Sequence, residues 1–236
     1  MGSISGNDNT RPDSKEIRVL VTGFGPFRAQ YPINPSWEIA SRLPRYVPTN
    51  VKNEGRHPHA RPPINKPTPQ IKIDTYGTPV HVGYKAVREL LPTLLDDNTP
   101  DYVLHIGMAS GRPFYSCERR GHRDGYFMQD VDGKLLNDEY NKIKDGDDWE
   151  TDTRISEDAG NYLCDFIYYT SLAHRYKYQQ PNKAMFLHVP VESDPESIRK
   201  GVEITIELIR AMVECDLKAQ SKTDDNINIT EEKLDL

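Results

Sequence analysis

The stretch IRVLVTGFGPF, residues 17–27, decides how the rest of the chain is interpreted. It is a short run of β-branched and apolar residues that ends at glycines, which predicts a buried strand leading into a tight turn. Two similar runs follow, DYVLHIG at 101–107 and AMFLHVP at 184–190. Strands that are apolar along their whole length are typical of parallel sheets covered on both faces.

Helical patterns alternate with these strands. Residues 34–44 (NPSWEIASRLP) begin with two candidate caps, Asn34 and Ser36, and residues 84–97 (YKAVRELLPTLLDD) carry apolar side chains at helical spacing. Residues 194–217 form an amphipathic pattern that Asp194 can cap. The alternation predicts an α/β fold: a single three-layer α/β/α domain around a mostly parallel, mixed central sheet.

We predict domain limits from changes in composition. One domain occupies 16–218 and contains a Pro-rich insertion at about 45–70, where apolar residues are few and without periodicity. The polar segments 1–15 and 219–236 are predicted to be disordered tails.

The overall composition excludes several classes of protein. A formal charge of −6 over 236 residues argues against nucleic-acid binding. No run of 18 apolar residues is present, which argues against a membrane span, and the N-terminus has no apolar signal-peptide core. Three cysteines without a Cys-x-x-Cys pair predict neither a disulfide framework nor a metal site. We therefore expect a cytoplasmic protein with no obligate protein partner in evidence.

The stretch SEDAGNYLCDFIYYTSLAHRY, residues 156–176, raises the question of what its cysteine does. We predict a helix capped by Ser156 or Asp158, with Cys164 just inside its first turn. The positive end of a helix dipole lowers a thiol pKa, which favours a nucleophilic thiolate. The alternative is that Cys164 is a small buried hydrophobic residue.

Sheets of this class place their chemistry at the carboxyl ends of strands. The rule selects 23–27, 107–118 and His188. His188 could serve as the base for a nucleophile, or it could be a hydrogen-bonded core imidazole. Phe24 and Phe27, at a strand-end turn, suit a small, flat, apolar ligand, unless both rings only pack the helix that follows.

Four blocks of the chain, in order, resemble the pyroglutamyl-peptidase I family of cysteine peptidases. The first is VLVTGFGPF with INPSWEIASRLP, and the second is PDYVLHIGMASGRPFYSCERRGH. The third, SEDAGNYLCDFIYYTSL, is the most specific and looks closest to the animal enzymes, and the fourth is FLHVP. Together they span 19–190, nearly the whole predicted domain.

The resemblance implies an omega peptidase, a thiol protease that hydrolyses the N-terminal pyroglutamyl residue from small peptides through a thioacyl-enzyme. It implies Cys164 as nucleophile, His188 as base and Glu118 as the group that orients His188. It implies that Phe24 and Phe27 hold the lactam ring and that Tyr162 and Leu163 flank the same pocket. No metal or organic cofactor is implied. The alternative is a weak or inactive relative that binds peptide N-termini.

Overall fold

The structure is a computed structural model that describes residues 16–49, 69–136 and 159–232, with side chains as far as residue 220 except at 97 and 98. The predicted tail at 1–15, most of the predicted insertion, and the candidate caps Ser156 and Asp158 lie outside the described residues.

Five strands form one sheet, in the order β2-β1-β3-β5-β4. They are β1 (Ile17–Gly23), β2 (Ile71–Thr75), β3 (Tyr102–Met108), β4 (Ser116–Glu118) and β5 (Ala184–Val189). All neighbours are parallel except β4, which pairs antiparallel with β5. The three apolar runs singled out in the sequence are therefore adjacent strands β1, β3 and β5, and the predicted mostly parallel, mixed sheet is confirmed.

Within the described residues, four helices cover the two faces of the sheet. They are α1 (Pro35–Ala40), α2 (Tyr84–Asn98), α3 (Leu163–Lys177) and α4 (Pro195–Glu232). One apolar cluster joins α2 and α3 to one face, and a second joins α1 and α4 to the other. The predicted three-layer α/β/α architecture is confirmed, and the carboxyl ends of β1, β3 and β5 lie at one edge of the sheet.

Capping residues were predicted at the starts of three helices. The structure shows a side-chain cap at two of them, α1 and α4, and none at α3. The Asn34 side chain accepts from the backbone N–H of Ser36 at 3.1 Å, and Asp194 accepts from two backbone N–H groups at the start of α4. Both caps were predicted. At α3 the N-cap position is occupied by Tyr162, which makes no side-chain cap. The start of α3 is thus held by tertiary contacts rather than by a local cap.

Helix α4 is longer than the sequence pattern indicates. We predicted a disordered tail from residue 219, whereas the backbone stays helical to Glu232. The reason is that residues 219–232 contain no Pro or Gly to end the helix. Although α4 has 38 residues, neither it nor any other helix in the described part of the chain is long and apolar enough to cross a membrane.

Gly23, the last residue of β1, marks the closest approach between the sheet and α1. A Cβ atom built at this glycine would lie 2.5 Å from the carbonyl oxygen of Ser36 and 2.8 Å from the Cα of Trp37. Both contacts are with backbone atoms, which cannot rotate away. The missing side chain therefore sets the distance between β1 and the helix that follows it.

We expect Gly23→Ala to lower the free energy of unfolding by about 2–3 kcal/mol, because the added methyl group must displace the α1 backbone. Urea denaturation followed by circular dichroism measures this change. Gly77→Ala is the matched control, since that glycine is exposed and has nothing within 4 Å of its Cβ position. A Gly23→Ala protein as stable as the control would contradict the close approach.

Candidate active site

The pairing of β4 with β5 brings Glu118 to His188. Glu118 pairs with Phe186, two residues before His188, so both side chains point to the same face of the sheet. The Nδ1 atom of His188 lies 2.8 Å from Glu118 Oε1, and both side chains are buried. The register of a three-residue strand thus creates a carboxylate–imidazole pair.

Two further donors converge on the same carboxylate oxygen. Arg112 Nη1 lies 2.8 Å from Glu118 Oε1, and the Ser116 hydroxyl lies 3.0 Å from it. An ionised carboxylate oxygen only accepts hydrogen bonds, so the Nδ1–H of His188 donates to Glu118 Oε1. In the neutral ring that makes this bond, the proton is on Nδ1 and the lone pair is on Nε2.

The Cys164 thiol lies over the sheet beside this pair. A Cβ atom built at Gly107 would meet Cys164 Sγ at 2.6 Å and Phe186 Cζ at 2.5 Å. Gly107 is in register with His188 on the neighbouring parallel strand. The space left by the missing side chain of Gly107 is therefore where the sulfur lies, next to the strand position that carries the imidazole.

Helix α3 is fixed against the sheet by a buried histidine on β3. His105 contacts the Thr22 hydroxyl through Nδ1 and the Ser171 hydroxyl through Nε2, each at 2.7 Å. Ser171 lies seven residues after Cys164, hence on the same side of the helix. Burial lowers the pKa of His105 to about 3, helped by the nearby positive charge of Arg175. His105 is therefore a neutral hydrogen-bonding link between β3 and α3.

Burial, not the helix dipole, dominates the pKa of the Cys164 thiol. The pKa is raised to about 12, first by desolvation and then by the negative charges of Asp165 and Glu118. Arg112 and the backbone N–H of Cys164 itself lower it, but by less. The sequence prediction that this environment lowers the pKa is wrong, because sequence position does not reveal how deeply the sulfur is buried. The resting thiol is protonated at neutral pH.

A pocket of about 210 Å³ opens in front of the thiol. Cys164 and His188 line it, as do all four residues predicted to bind substrate: Phe24, Phe27, Tyr162 and Leu163. The rings of Phe27 and Tyr162 are 6.3 Å apart and tilted by 45°. Glu118 lies behind His188 and is not among the lining residues. The structure thus brings all seven predicted site residues into one region.

Hydrogen bonds within the turn after β1 hold Phe24 at the pocket. The Phe24 N–H donates to the Ser36 hydroxyl at 3.0 Å. The Asn34 side-chain amide donates to the Gly25 carbonyl at 2.8 Å, and Asn34 is itself buried and lines the pocket. Asn34 therefore caps α1 and also stabilises the turn after β1. These hydrogen bonds hold Phe24 where it both lines the pocket and packs into the core.

Sequence reasoning missed two contributors. Arg112 was inside the range selected at the end of β3, but no pattern distinguished it from other arginines. Gly107 ended a predicted strand, but its contact with the sulfur needs the register of β3 and β5. Within residues 16–49, 69–136 and 159–232, no three His, Cys, Asp or Glu side chains are grouped as a metal site would require.

Comparisons with known proteins agree on one family. The sequence profile of the family described as pyroglutamyl peptidase matches residues 150–215. Human pyroglutamyl-peptidase 1 is 28% identical over 195 residues, covering 75% of this chain and 80% of the human protein. The pyrrolidone-carboxylate peptidase of Thermococcus kodakarensis is 27% identical over 227 residues, covering 82% of this chain and 96% of the archaeal one.

A solved structure supports the same fold over most of the chain. A variant of the pyrrolidone carboxyl peptidase from the hyperthermophile Pyrococcus furiosus superposes with a TM-score of 0.57 at 23% identity. The match covers 86% of this chain and 100% of that one. The five-stranded sheet with helices on both faces is therefore the architecture of that enzyme as well.

We expect the alkylation rate of Cys164 by iodoacetamide to rise about tenfold per pH unit between pH 6 and 9 without a plateau, because the thiolate fraction grows this way below a pKa near 12. The rate is followed by mass spectrometry in a variant with Cys117→Ser and Cys215→Ser. The same variant with Cys164→Ala controls for labelling elsewhere. A plateau near pH 7 would contradict the raised pKa.

Proposed function

We propose that this chain is a member of the pyroglutamyl peptidase family of cysteine peptidases and that it removes the N-terminal pyroglutamyl residue from peptides. One observation carries the proposal from the family to this chain. The Cys164 sulfur, lying over Gly107, and the Glu118–His188 pair at 2.8 Å meet at the wall of a single pocket.

In the acylation step, Cys164 Sγ attacks the carbonyl carbon of the pyroglutamyl residue. Because the resting thiol is protonated, its proton moves to His188 Nε2 as the S–C bond forms. Glu118 holds the other ring nitrogen and stabilises the imidazolium that results. The C–N bond then breaks, His188 returns the proton to the leaving amine, and a thioacyl-enzyme remains.

In the second step, water attacks the thioester carbonyl and gives a proton to His188. The C–S bond breaks and the thiol regains its proton, which releases free pyroglutamate. The backbone N–H of Cys164 belongs to the first turn of α3, where N–H groups have no partner within the helix. It is our candidate donor to the oxyanion that forms in both steps.

The pocket supports recognition of a neutral lactam rather than an ammonium group. Phe24 and Phe27 supply flat apolar surface. Two arginines, Arg28 and Arg112, also line the pocket, whereas none of the described lining residues is Asp or Glu. The Arg28 guanidinium stacks over the Phe27 ring at 5.3 Å. A substrate that carried a positive charge into this pocket would lose its hydration and find no counter-charge.

Two further elements complete the proposal. We place the enzyme in the cytoplasm, because Cys117, Cys164 and Cys215 are all free thiols and a thiol nucleophile must stay reduced. We also take 16–218 as the catalytic domain, because the core clusters and every site residue lie within it. The small peptide substrates would enter through the open side of the pocket.

We expect the purified protein to hydrolyse a pyroglutamyl-linked fluorogenic amide and Cys164→Ala to abolish this activity while the circular dichroism spectrum is unchanged. His188→Ala should cost nearly as much, since members of one catalytic unit are not additive. Glu118→Gln should cost less, because it keeps the shape and loses only the charge. Cys215→Ser is the matched control.

A Cys164→Ala variant with normal turnover would overturn the assignment. Absence of hydrolysis by the unmodified protein, together with saturable binding of a pyroglutamyl peptide, would instead favour the non-catalytic relative.

We also expect kcat/KM for pyroglutamyl amides to exceed that for prolyl and glutaminyl amides by on the order of 10³-fold, because those analogues carry an ammonium group. Phe24→Ala and Phe27→Ala should raise KM and reduce the ratio of kcat/KM between pyroglutamyl and prolyl amides. Cys164 should stay reactive toward iodoacetamide in both variants. Similar kcat/KM values for pyroglutamyl and prolyl amides would contradict the role given to the pocket.

A further inference from the structure

The chain that leaves β4 lies directly on helix α3. A Cβ atom built at Gly121, three residues after Glu118, would be 2.8 Å from both the Cα and the backbone N of Tyr169. Contact at this distance leaves no room for any side chain. The segment 119–126 therefore rests against the helix that carries Cys164.

Asp165, the residue after Cys164, bonds this segment to the start of the helix. Its carboxylate has no exposed surface. It accepts from the backbone N–H of His122 at 3.1 Å, contacts His122 Nδ1 at 3.2 Å, and accepts from the Tyr126 hydroxyl at 2.8 Å. The Tyr126 hydroxyl also contacts the carbonyl of His122, and its ring is fully buried against Phe166. We call Asp165, His122 and Tyr126 the Asp165 junction.

We propose that Asp165 is a positioning residue for the reaction: through the Asp165 junction it holds the continuation of β4 against the start of α3, and so keeps the Glu118–His188 pair and the Cys164 sulfur in register. The inference rests on the proposed function, because it assigns the junction an effect on that reaction.

The need for such a junction follows from how weakly β4 is otherwise held. The strand has three residues and lies at the edge of the sheet that the described residues form, where it pairs with β5. Short edge strands open more easily than central ones. The junction attaches the chain that follows β4 to helix α3. Its contact on the segment is His122, four residues after Glu118, and its contact on the helix is Asp165, one residue after Cys164.

Asp165 does not reach the pocket and lies behind the residues that do. Its loss is therefore expected to change the rate of the chemical steps more than the binding of the lactam. A displacement of about 1 Å between reacting groups costs on the order of a hundredfold in rate, so a partial loosening corresponds to a smaller but measurable decrease.

The test compares four variants on the pyroglutamyl amide. Asp165→Ala removes the carboxylate that accepts from both His122 and Tyr126, and we expect kcat to fall about ten- to a hundredfold with KM within about twofold of the wild type. Asp165→Asn keeps one acceptor oxygen and should retain kcat within about threefold. Tyr126→Phe removes one donor and should lower kcat several-fold. Asp124→Asn is the control, since this carboxylate pairs with the adjacent Arg123 in the same segment and not with α3.

Wild-type kcat in Asp165→Ala would overturn the inference, as would a loss that appears in KM alone or a loss in Asp165→Asn as large as in Asp165→Ala. Should Asp165→Ala fail to fold, Tyr126→Phe decides: a lower kcat at unchanged KM supports the inference, and an unchanged kcat overturns it.

Hydrogen exchange separates this inference from the proposed function. In Tyr126→Phe and Asp165→Ala we expect faster amide exchange in 119–126, including the His122 N–H, with β3 and β5 unaffected. This measurement needs no substrate. If exchange is unchanged, the junction is not what holds the segment. If exchange rises but Cys164→Ala still hydrolyses the amide, the proposed function fails and the reaction role of Asp165 fails with it.

Discussion

The alignment of β3 with β5 is the constraint on which the site depends. Because Gly107 lies opposite His188, the one position on β3 that has no side chain is next to the imidazole. The sulfur of Cys164, which comes from α3, occupies that space, and a shift of β5 by one residue would turn the imidazole to the other face of the sheet. The buried His105, two residues earlier on the same strand, then pins the helix that delivers the sulfur. One strand pair therefore sets the position of the proposed nucleophile and of its proposed base.

The electrostatics of the site follow from the same arrangement. Cys164 is half-buried, and the water that its sulfur loses on packing against the sheet raises the thiol pKa by more than the helix start lowers it. The thiol therefore stays neutral until a carbonyl approaches. Arg112 serves two groups at once, because it holds the carboxylate of Glu118 and its charge favours the thiolate. The site keeps its positive charge close to the atoms that become negative during the reaction.

Much of the fold could be predicted from local patterns. The three apolar strands and the caps of Asn34 and Asp194 are signals contained in a few consecutive residues. The proposed nucleophile and base stood out because one lies at the start of a helix and the other near the end of a strand. Glu118 did not: it belongs to a strand of three residues among 36 acidic side chains, and only the family resemblance selected it. The direction of the thiol pKa was wrong for a related reason, since desolvation arises from residues remote in sequence.

The order of the strands has a consequence for biosynthesis. Strand β4 precedes β5 in the chain, yet β5 lies between β4 and β3 in the sheet. While the chain leaves the ribosome, β1, β2 and β3 can pair with one another, but β4 must wait for a neighbour that has not yet been made. The thiol is synthesised before its base, and the base completes the sheet. The proposed peptidase activity would therefore begin only when β5 is inserted, and a nascent or truncated chain without β5 would carry Cys164 without its proposed base.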